Sequence, residues 1–298
     1  MTLQQKIESN QFIVCGEIGP PQSCDADVIR DKSKHFKGYV DAVNITDNQT
    51  AIVRLSSIAS AKILLDEGVE PIMQMTCRDR NRLAIQSDLL GAAALGIRNV
   101  LCLTGDYQTF GDQPEARGVF DLDSIQLITV VATMNRGFLL SGSEMKKAPE
   151  FLIGAAANPF AEPFEMRVIR LQKKIAAGAR FIQTQPVFNL GIFTRWMERV
   201  VQMGLHEKAA ILAGVMPVKS AKTLLWMKER VPGMRIHEGY MSRMTLARNP
   251  EEEGVAMAVE TIQAVRNIPG VRGIHVMPAL WESITPRLVK EAGLPVAQ

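Results

Sequence analysis

Two carboxylates stand where the sequence could support acid–base chemistry. Glu17 lies in the segment CGEIGPP and Asp106 in the segment LTGD, and each follows a short apolar run of the kind that forms a buried strand. A carboxyl held at a ligand site can donate or accept a proton during a reaction. It can equally cap the next helix or pair with a basic side chain, and spacing alone leaves both interpretations open.

Other polar residues occupy the ends of further apolar runs. In chain order they are Thr46, Gln74, Thr76, Thr104, Gly105, Asn158, Gln183, Gln185 and His275. A single polar residue at a strand end can arise by chance. The repeated pattern predicts a ligand site only if the strands all end at one edge, so the interpretation depends on the elements that carry these residues.

Eight apolar runs alternate with longer amphipathic stretches. The predicted strands are Phe12–Glu17, Asp41–Ile45, Pro71–Thr76, Asn99–Thr104, Phe151–Ala157, Arg180–Gln185, Ala209–Val215 and Gly273–Met277. Continuous apolar segments such as AILAGV are typical of parallel strands, which are covered on both faces. Glycines end four of the helix patterns between the strands, which are Ser56–Glu67, Asp88–Leu95, Pro163–Ala177 and Thr285–Ala292.

A strand followed by a helix, repeated eight times, predicts a single (β/α)8 barrel, the TIM barrel, over residues 1–298. A doubly wound sheet is the alternative, but eight regular units without a linker favour closure into one domain. Such barrels bind ligands at the C-terminal ends of their strands, so the polar residues are predicted to lie around one opening. Two long loops are also predicted, Tyr107–Val119 and Pro232–Pro250, and loops of that length are often functional.

The composition excludes several classes of protein. The 298 residues carry a formal net charge of +3 without a long basic run, which argues against nucleic-acid binding. Residues 1–10 are polar, unlike a signal peptide, and no apolar run approaches the ~20 residues of a membrane helix. We therefore expect a cytoplasmic protein that does not span a membrane.

The cysteines argue against a metal site within this chain. Cys15, Cys24, Cys77 and Cys102 are far apart and form no CxxC pair, so we expect neither a zinc site nor an iron–sulfur cluster. Three of the four lie in strand-like apolar runs and are predicted to be small buried hydrophobic residues.

Seven segments, in order along the chain, resemble those of methylenetetrahydrofolate reductases. They are GEIGPP from Gly16, VNIT at Val43–Thr46, QMTCRD at Gln74–Asp79, LTGD at Leu103–Asp106, AAANPFAEP at Ala155–Pro163, KKIAAGARFIQTQPVF at Lys173–Phe188 and AGVMPV at Ala213–Val218. The resemblance extends from about Phe12 to Gly293. One motif would carry little weight, but seven in register on eight predicted strands indicate this family.

The resemblance implies a flavin at the barrel opening, FAD with FMN as the alternative, and reduction of 5,10-methylenetetrahydrofolate to 5-methyltetrahydrofolate. Glu17 would be the general acid, because opening the methylene bridge requires a proton on the leaving nitrogen. Asp106 would be the second catalytic residue, and its negative charge near the flavin ring would make the reduced flavin a stronger hydride donor. The residues Ile18–Pro21 predict an apolar wall beside the Glu17 carboxyl.

The resemblance also implies binding residues. Gly105 would let the backbone approach the flavin closely, and Lys174 would supply a cation, unless it is an ordinary solvated helix residue. Folate would contact Gln185, with Gln183 nearby, because an amide can both donate to and accept from a pterin edge. The full set implied for the flavin is Thr46, Gln74, Thr104, Gly105, Asp106, Ala157, Asn158 and Lys174.

The sequence departs from the common pattern of the family. Aromatic residues that usually follow Gln185 are missing, and the last strand has IHVM in place of aromatics, which predicts weak direct use of NADH. An iron–sulfur partner subunit would then supply electrons, and we expect a homo- or hetero-oligomer. Four aromatic residues could replace the lost stacking surface: Tyr107, Phe160, Phe188 and Tyr240. The other replacements are Gln74 for His, Thr104 for Arg, Asn158 for Tyr and Glu162 for His.

The sequence is also compatible with two other functions. One is a flavin- or folate-binding subunit of a larger one-carbon, methyl-transfer complex without reductase activity of its own, although the presence of both Glu17 and Asp106 argues against it. The other is a flavin-free barrel that transfers a methyl group between folate and a corrinoid or a thiol. The lack of clustered Cys and His ligands argues against a site that activates a thiol.

Overall fold

Eight parallel strands close into a barrel in the computed structural model, which describes residues 1–231 and 234–295. The strands are β1 Ile13–Ile18, β2 Ala42–Ile45, β3 Pro71–Thr76, β4 Asn99–Leu103, β5 Leu152–Ala157, β6 Phe181–Pro186, β7 Ala210–Val215 and β8 Val271–Val276. Successive strands pair in chain order, and β8 pairs with β1 through Cys15 and His275. The predicted (β/α)8 barrel is confirmed, and each predicted strand overlaps an observed one.

Most of the helices cover the outside of the barrel. Those in the described residues are α1 Leu3–Glu8, α2 Asp27–Ser33, α3 Ser57–Asp66, α4 Arg82–Ala94, α5 Ser124–Asn135, α6 Phe164–Ala177, α7 Leu190–Gln202, α8 Ala221–Arg230, α9 Glu238–Leu246, α10 Pro250–Arg266 and α11 Thr285–Glu291. Helix α4 starts earlier than predicted because the Asn81 side chain accepts hydrogen bonds from the amides of Leu83 and Ala84. None of the described helices has the length and apolar character needed to cross a bilayer.

The prediction of a continuous loop over Pro232–Pro250 is wrong, because helix α9 occupies Glu238–Leu246. His237 caps this helix by accepting from the amide of Gly239, and the buried Met244 packs in a small cluster with Leu224 and Met257. Pro232 and Gly233, where the predicted loop begins, lie outside the described residues. The other predicted loop, Tyr107–Val119, contains only the short 3-10 turn Gln108–Phe110.

Alternation along the strands divides the core into two parts. Ile13, Cys15, Ala42, Leu101 and Phe181 belong to a cluster inside the barrel, which we call the inner cluster. Their neighbours on the same strands pack against the helices in a larger outer cluster. Because side chains on a strand alternate with a period of two, Glu17 continues the inward series of β1 after Ile13 and Cys15. Of the cysteines, Cys15, Cys77 and Cys102 are buried as predicted, and Cys24 is exposed.

Candidate active site

Glu17 lies at the C-terminal edge of the barrel, the rim that we call the barrel mouth, with polar side chains from two other strands. Its Oε2 atom accepts a hydrogen bond from Gln74 Nε2 on β3 at 3.3 Å. On the other side, the same oxygen lies 3.2 Å from His275 Nε2 on β8. The side chain of Glu17 is 14% exposed, whereas that of His275 is 4% exposed. One carboxylate oxygen is thus held by two side chains while the group as a whole stays accessible.

His275 is itself held by Asn44 of β2. The Nδ2 atom of Asn44 donates to the carbonyl oxygen of Gly16 at 3.1 Å and lies 3.2 Å from His275 Nδ1. Asn44 is completely buried. Asn44, His275 and Glu17 therefore form a hydrogen-bonded row that crosses from β2 to β8 to β1.

The prediction that Ile18 forms part of an apolar wall beside the Glu17 carboxyl is wrong. Ile18 is fully buried in the outer cluster, because consecutive residues of a strand point to opposite faces. The observed hydrogen-bond partners of the Glu17 carboxyl are the polar side chains of Gln74 and His275.

The LTGD segment forms a turn at the end of β4. Gly105 has a φ angle of 94°, and a Cβ atom there would lie 3.0 Å from Arg78 Cβ and 3.1 Å from Thr76 Cβ. The turn therefore requires glycine both for its backbone conformation and for its close packing. The side chain of Asp106 is exposed. The hydroxyl of Thr104 accepts from the Ser124 amide at the start of α5, so this side chain faces the helix and not the inside of the barrel.

A buried ion pair joins the loops after β2 and β3. Asp47 Oδ2 accepts from the amide and the hydroxyl of Thr76, both at 2.9 Å, and from Arg80 Nη1 at 2.7 Å. The side chains of Asp47 and Arg80 are 2% and 14% exposed, and Arg80 also binds Asp88 at 2.8 Å. Sequence reasoning did not identify these residues, although both lie next to recognised motifs, VNIT and QMTCRD.

A cationic pocket opens at the ends of β5 and β6. It has a volume of about 170 Å³ and is lined by Ala156, Ala157, Asn158, Arg167, Arg170, Leu171, Lys174 and Gln185. The three cations lie on one face of α6 at a spacing of three and four residues. Sequence reasoning selected Lys174 but missed Arg167 and Arg170, which this helical spacing could have revealed.

Lys174 is a partly buried cation of the pocket. Its Nζ atom donates to the carbonyl oxygen of Ala156 at 2.6 Å. Burial, with a further contribution from the nearby Arg170, lowers the pKa of Lys174 to about 8. Gln185 lines the same pocket and is exposed, while the Asn158 side chain accepts from the amide of Phe160.

Several buried polar atoms near the mouth have no partner among the described residues. They include the Thr46 hydroxyl and both amide atoms of Gln183. Gln183 is 3% exposed and lies beside the Cys15 thiol inside the barrel, deeper than the rim. Unpartnered groups of this kind usually bind a ligand or water. No group of three or more His, Cys, Asp or Glu within the described ranges could hold a metal ion.

Nine of the eleven predicted site residues fall into three groups at the C-terminal edge, and Thr46 and Gln183 lie outside these groups. Glu17 and Gln74 are in direct contact, Ala157, Asn158, Lys174 and Gln185 line the cationic pocket, and Thr104, Gly105 and Asp106 form the turn after β4. The donor set suits a flavin: unpartnered hydroxyl and amide groups for a heteroaromatic ring, and clustered cations for phosphates.

Comparison with known proteins gives a consistent result. A family model described as methylenetetrahydrofolate reductase matches residues 2–293. Methylenetetrahydrofolate reductase 1 of Schizosaccharomyces pombe is 24% identical over 240 residues, which cover 78% of this chain and 37% of the yeast protein. The 5,10-methylenetetrahydrofolate reductase of Pectobacterium carotovorum is 27% identical over 161 residues, 53% of this chain and 47% of that protein. These matches span less than half of each relative's length.

A solved structure with the same fold comes from Clostridium thermocellum. It superimposes with a TM-score of 0.67 and 15% sequence identity, and the match covers 97% of both chains. That protein is described as binding two copies of 5-methyl-5,6,7,8-tetrahydrofolic acid.

Proposed function

The chain belongs to the methylenetetrahydrofolate reductase family, and from this membership we propose that it reduces 5,10-methylenetetrahydrofolate to 5-methyltetrahydrofolate, with a flavin as cofactor and Glu17 as general acid. The folate ligand of the C. thermocellum protein, which is the product of this reaction, supports the substrate class. The names of the relatives in yeast and Pectobacterium support the reaction.

The observation that carries the proposal is the Glu17 carboxyl at the barrel mouth. In the substrate a methylene carbon bridges two nitrogens, and reduction to a methyl group requires one carbon–nitrogen bond to break. The leaving nitrogen needs a proton, which a carboxylic acid within hydrogen-bond reach can donate. Glu17 is partly exposed and is held at one oxygen by Gln74 and His275, so it can present its other oxygen to a ligand.

The flavin, when bound, would supply the hydride that this chain's side chains cannot supply. We propose that Thr46, Gln74 and the turn from Thr104 to Asp106 contact its ring. The backbone of Gly105 permits a close approach, and the carboxylate of Asp106 would lie near the pyrimidine edge. Because the side chain of Thr104 faces α5, Thr104 would contribute through its backbone.

The cationic pocket would hold the flavin phosphates. Arg167, Arg170 and Lys174 present three cations to one cavity, and Ala157 and Asn158 form its wall. The diphosphate of FAD spreads its negative charge over two phosphate groups, whereas FMN has one, so a row of three cations suits FAD better. We propose that Gln185, at the edge of this pocket, binds the folate, with Gln183 behind it in the barrel.

An absorption spectrum tests the cofactor. The full chain, mixed with FAD or FMN and freed of excess by gel filtration, is expected to retain FAD bands in a one-to-one ratio and to retain less FMN. A protein that binds 5-methyltetrahydrofolate but neither flavin would contradict the proposal and favour a folate-binding subunit.

We expect Lys174→Met to weaken FAD binding by about ten- to a hundredfold, the usual effect of losing one hydrogen bond to a charged group. Lys173→Met is the matched control, because Lys173 is the next residue of α6 and its side chain is exposed. Titration of the quenching of flavin fluorescence measures both affinities. Equal losses in the two variants would remove Lys174 from the flavin site.

The pKa of Lys174 also predicts the pH dependence of this affinity. Because the pKa is about 8 in the free protein, Lys174 is a cation below pH 8 and loses its charge as the pH rises above that value. FAD affinity is therefore expected to be constant from about pH 6 to 8 and to fall above pH 8, by at most about tenfold per pH unit. The Lys174→Met variant should lack this decline.

We propose a protein, an iron–sulfur partner in a hetero-oligomer, as the electron donor. Two of the aromatic residues that could replace the missing nicotinamide stack are buried: Phe160 and Phe188 are each 3% exposed. Phe188 packs edge-on against Tyr240, and burial raises the pKa of the Tyr240 phenol to about 12. Tyr107 is 66% exposed and packs against Phe120.

The isolated chain is therefore expected to turn over slowly with NADH and much faster with an artificial donor such as reduced methyl viologen. Steady-state assays with each donor at equal enzyme concentration measure the difference. NADH turnover near about 10 per second, the median for enzymes, would contradict the need for a partner.

A further inference from the structure

The hydrogen-bonded row behind Glu17 fixes the chemical form of His275. The carbonyl oxygen of Gly16 can only accept, so the atom of the Asn44 amide that lies 3.1 Å from it is the nitrogen Nδ2. The second hydrogen of Nδ2 is then available for His275 Nδ1 at 3.2 Å. A ring nitrogen that accepts a hydrogen bond carries no proton. His275 is thereby held as the neutral tautomer with its proton on Nε2.

The proton on Nε2 in turn decides which oxygen of Glu17 is reactive. Nε2–H donates to Glu17 Oε2 at 3.2 Å, and Gln74 Nε2 donates to the same oxygen at 3.3 Å. An oxygen that accepts two N–H bonds is a poor position for the acid proton. Oε1 receives no hydrogen bond from a described residue, and the side chain is partly exposed. The transferable proton therefore belongs on Oε1.

We propose that His275 and Asn44 are positioning residues for Glu17: they hold Oε2 as the acceptor and direct the acidic Oε1–H toward the ligand. When Oε1 gives its proton to the leaving nitrogen, the carboxylate that remains is stabilised by the two N–H groups at Oε2. His275 keeps its own proton throughout, and Glu17 regains one from solvent at its exposed side. The identity of the ligand rests on the proposed function, whereas the tautomer of His275 follows from the hydrogen bonds of Asn44.

Nitrogen NMR on the full chain, labelled with ¹⁵N-histidine and without any ligand, tests the tautomer. His275→Gln identifies the His275 signals among those of the four histidines, and His35→Gln serves as the control. The expected pattern is a non-protonated Nδ1 and a protonated Nε2 at neutral pH. A proton on Nδ1, in either the other tautomer or the imidazolium, would overturn the proposal whatever reaction the protein catalyses.

Asn44→Asp tests the coupling between the row and Glu17. An aspartate accepts where the asparagine donates, so His275 should carry a proton on Nδ1. His275 would then be either the other neutral tautomer, which cannot donate from Nε2 to Glu17, or an imidazolium, which donates from both nitrogens. We expect the NMR signals to change accordingly, and the rate of folate reduction to fall about ten- to a hundredfold with unchanged FAD affinity. A changed tautomer with an unchanged rate would overturn the positioning role. Wild-type protein with the expected tautomer but no reductase activity would contradict only the proposed function.

Discussion

Glu17→Gln is expected to abolish most folate reduction while leaving flavin binding intact. Glutamine has the same shape, and its carbonyl oxygen can accept from Gln74 and His275 as Oε2 does, so the row behind it should persist. What the variant lacks is a transferable proton. General acids typically contribute at least about a hundredfold to a rate, so we expect a loss of that size or more in the step that consumes methylenetetrahydrofolate.

Stopped-flow absorbance of the flavin separates this step from the supply of electrons. The variant should accept electrons from dithionite as the wild type does and return them slowly to the folate. Glu115→Gln is a suitable control, because Glu115 is exposed in the loop after β4 and its substitution removes the same charge. Wild-type rates for Glu17→Gln in the folate step would show that another group supplies the proton.

The second large effect is expected for Asp47→Asn, which removes the charge that Arg80 needs in the protein interior. Both side chains are largely buried, and the carboxylate of Asp47 also accepts from the amide and hydroxyl of Thr76. Breaking a buried pair by removing one partner costs about 3–5 kcal/mol, and we expect the lower end of this range because Arg80 would keep only the partly exposed Asp88 as a counter-ion. This corresponds to more than about a hundredfold in the unfolding equilibrium constant.

Urea unfolding followed by circular dichroism measures this cost as a lower midpoint with an unchanged slope. Asp88→Asn is the matched control, since it removes the other carboxylate of the same Arg80 at a position where 37% of the side chain is exposed. That variant should cost no more than about 1 kcal/mol. Equal losses in the two variants would mean that the Asp47 pair contributes no more than a surface ion pair.

The barrel could be predicted from the sequence because its signals are local and repeated. Most of the strands are largely apolar runs, and glycines such as Gly178 end the helices between them. Helix α9 was missed for the corresponding reason: its sequence, EGYMSRMTL, has a weak helical period and is stabilised by packing against α8 and α10. Tertiary contacts that stabilise such a helix leave little trace in a single sequence.

The site could be predicted only in part, because strand ends identify which residues face the mouth but not what they contact. Glu17 and Gln74 were selected at strand ends, and they lie in contact. The bond between Glu17 and His275 joins residues 258 positions apart, and it exists only because the barrel closes β8 onto β1. The direction of the Thr104 side chain could not be predicted either, because its hydroxyl accepts from the amide of Ser124, which lies 20 residues further along the chain.

The most direct test of the reductase assignment is the reaction of the loaded, reduced protein with its proposed substrate. The full chain is incubated with FAD, freed of excess flavin, reduced anaerobically with one equivalent of dithionite and mixed with 5,10-methylenetetrahydrofolate. We predict that the oxidised flavin absorbance returns at about 1 per second or faster and that one 5-methyltetrahydrofolate forms per flavin. Flavin that stays reduced while the folate remains unchanged would contradict the account.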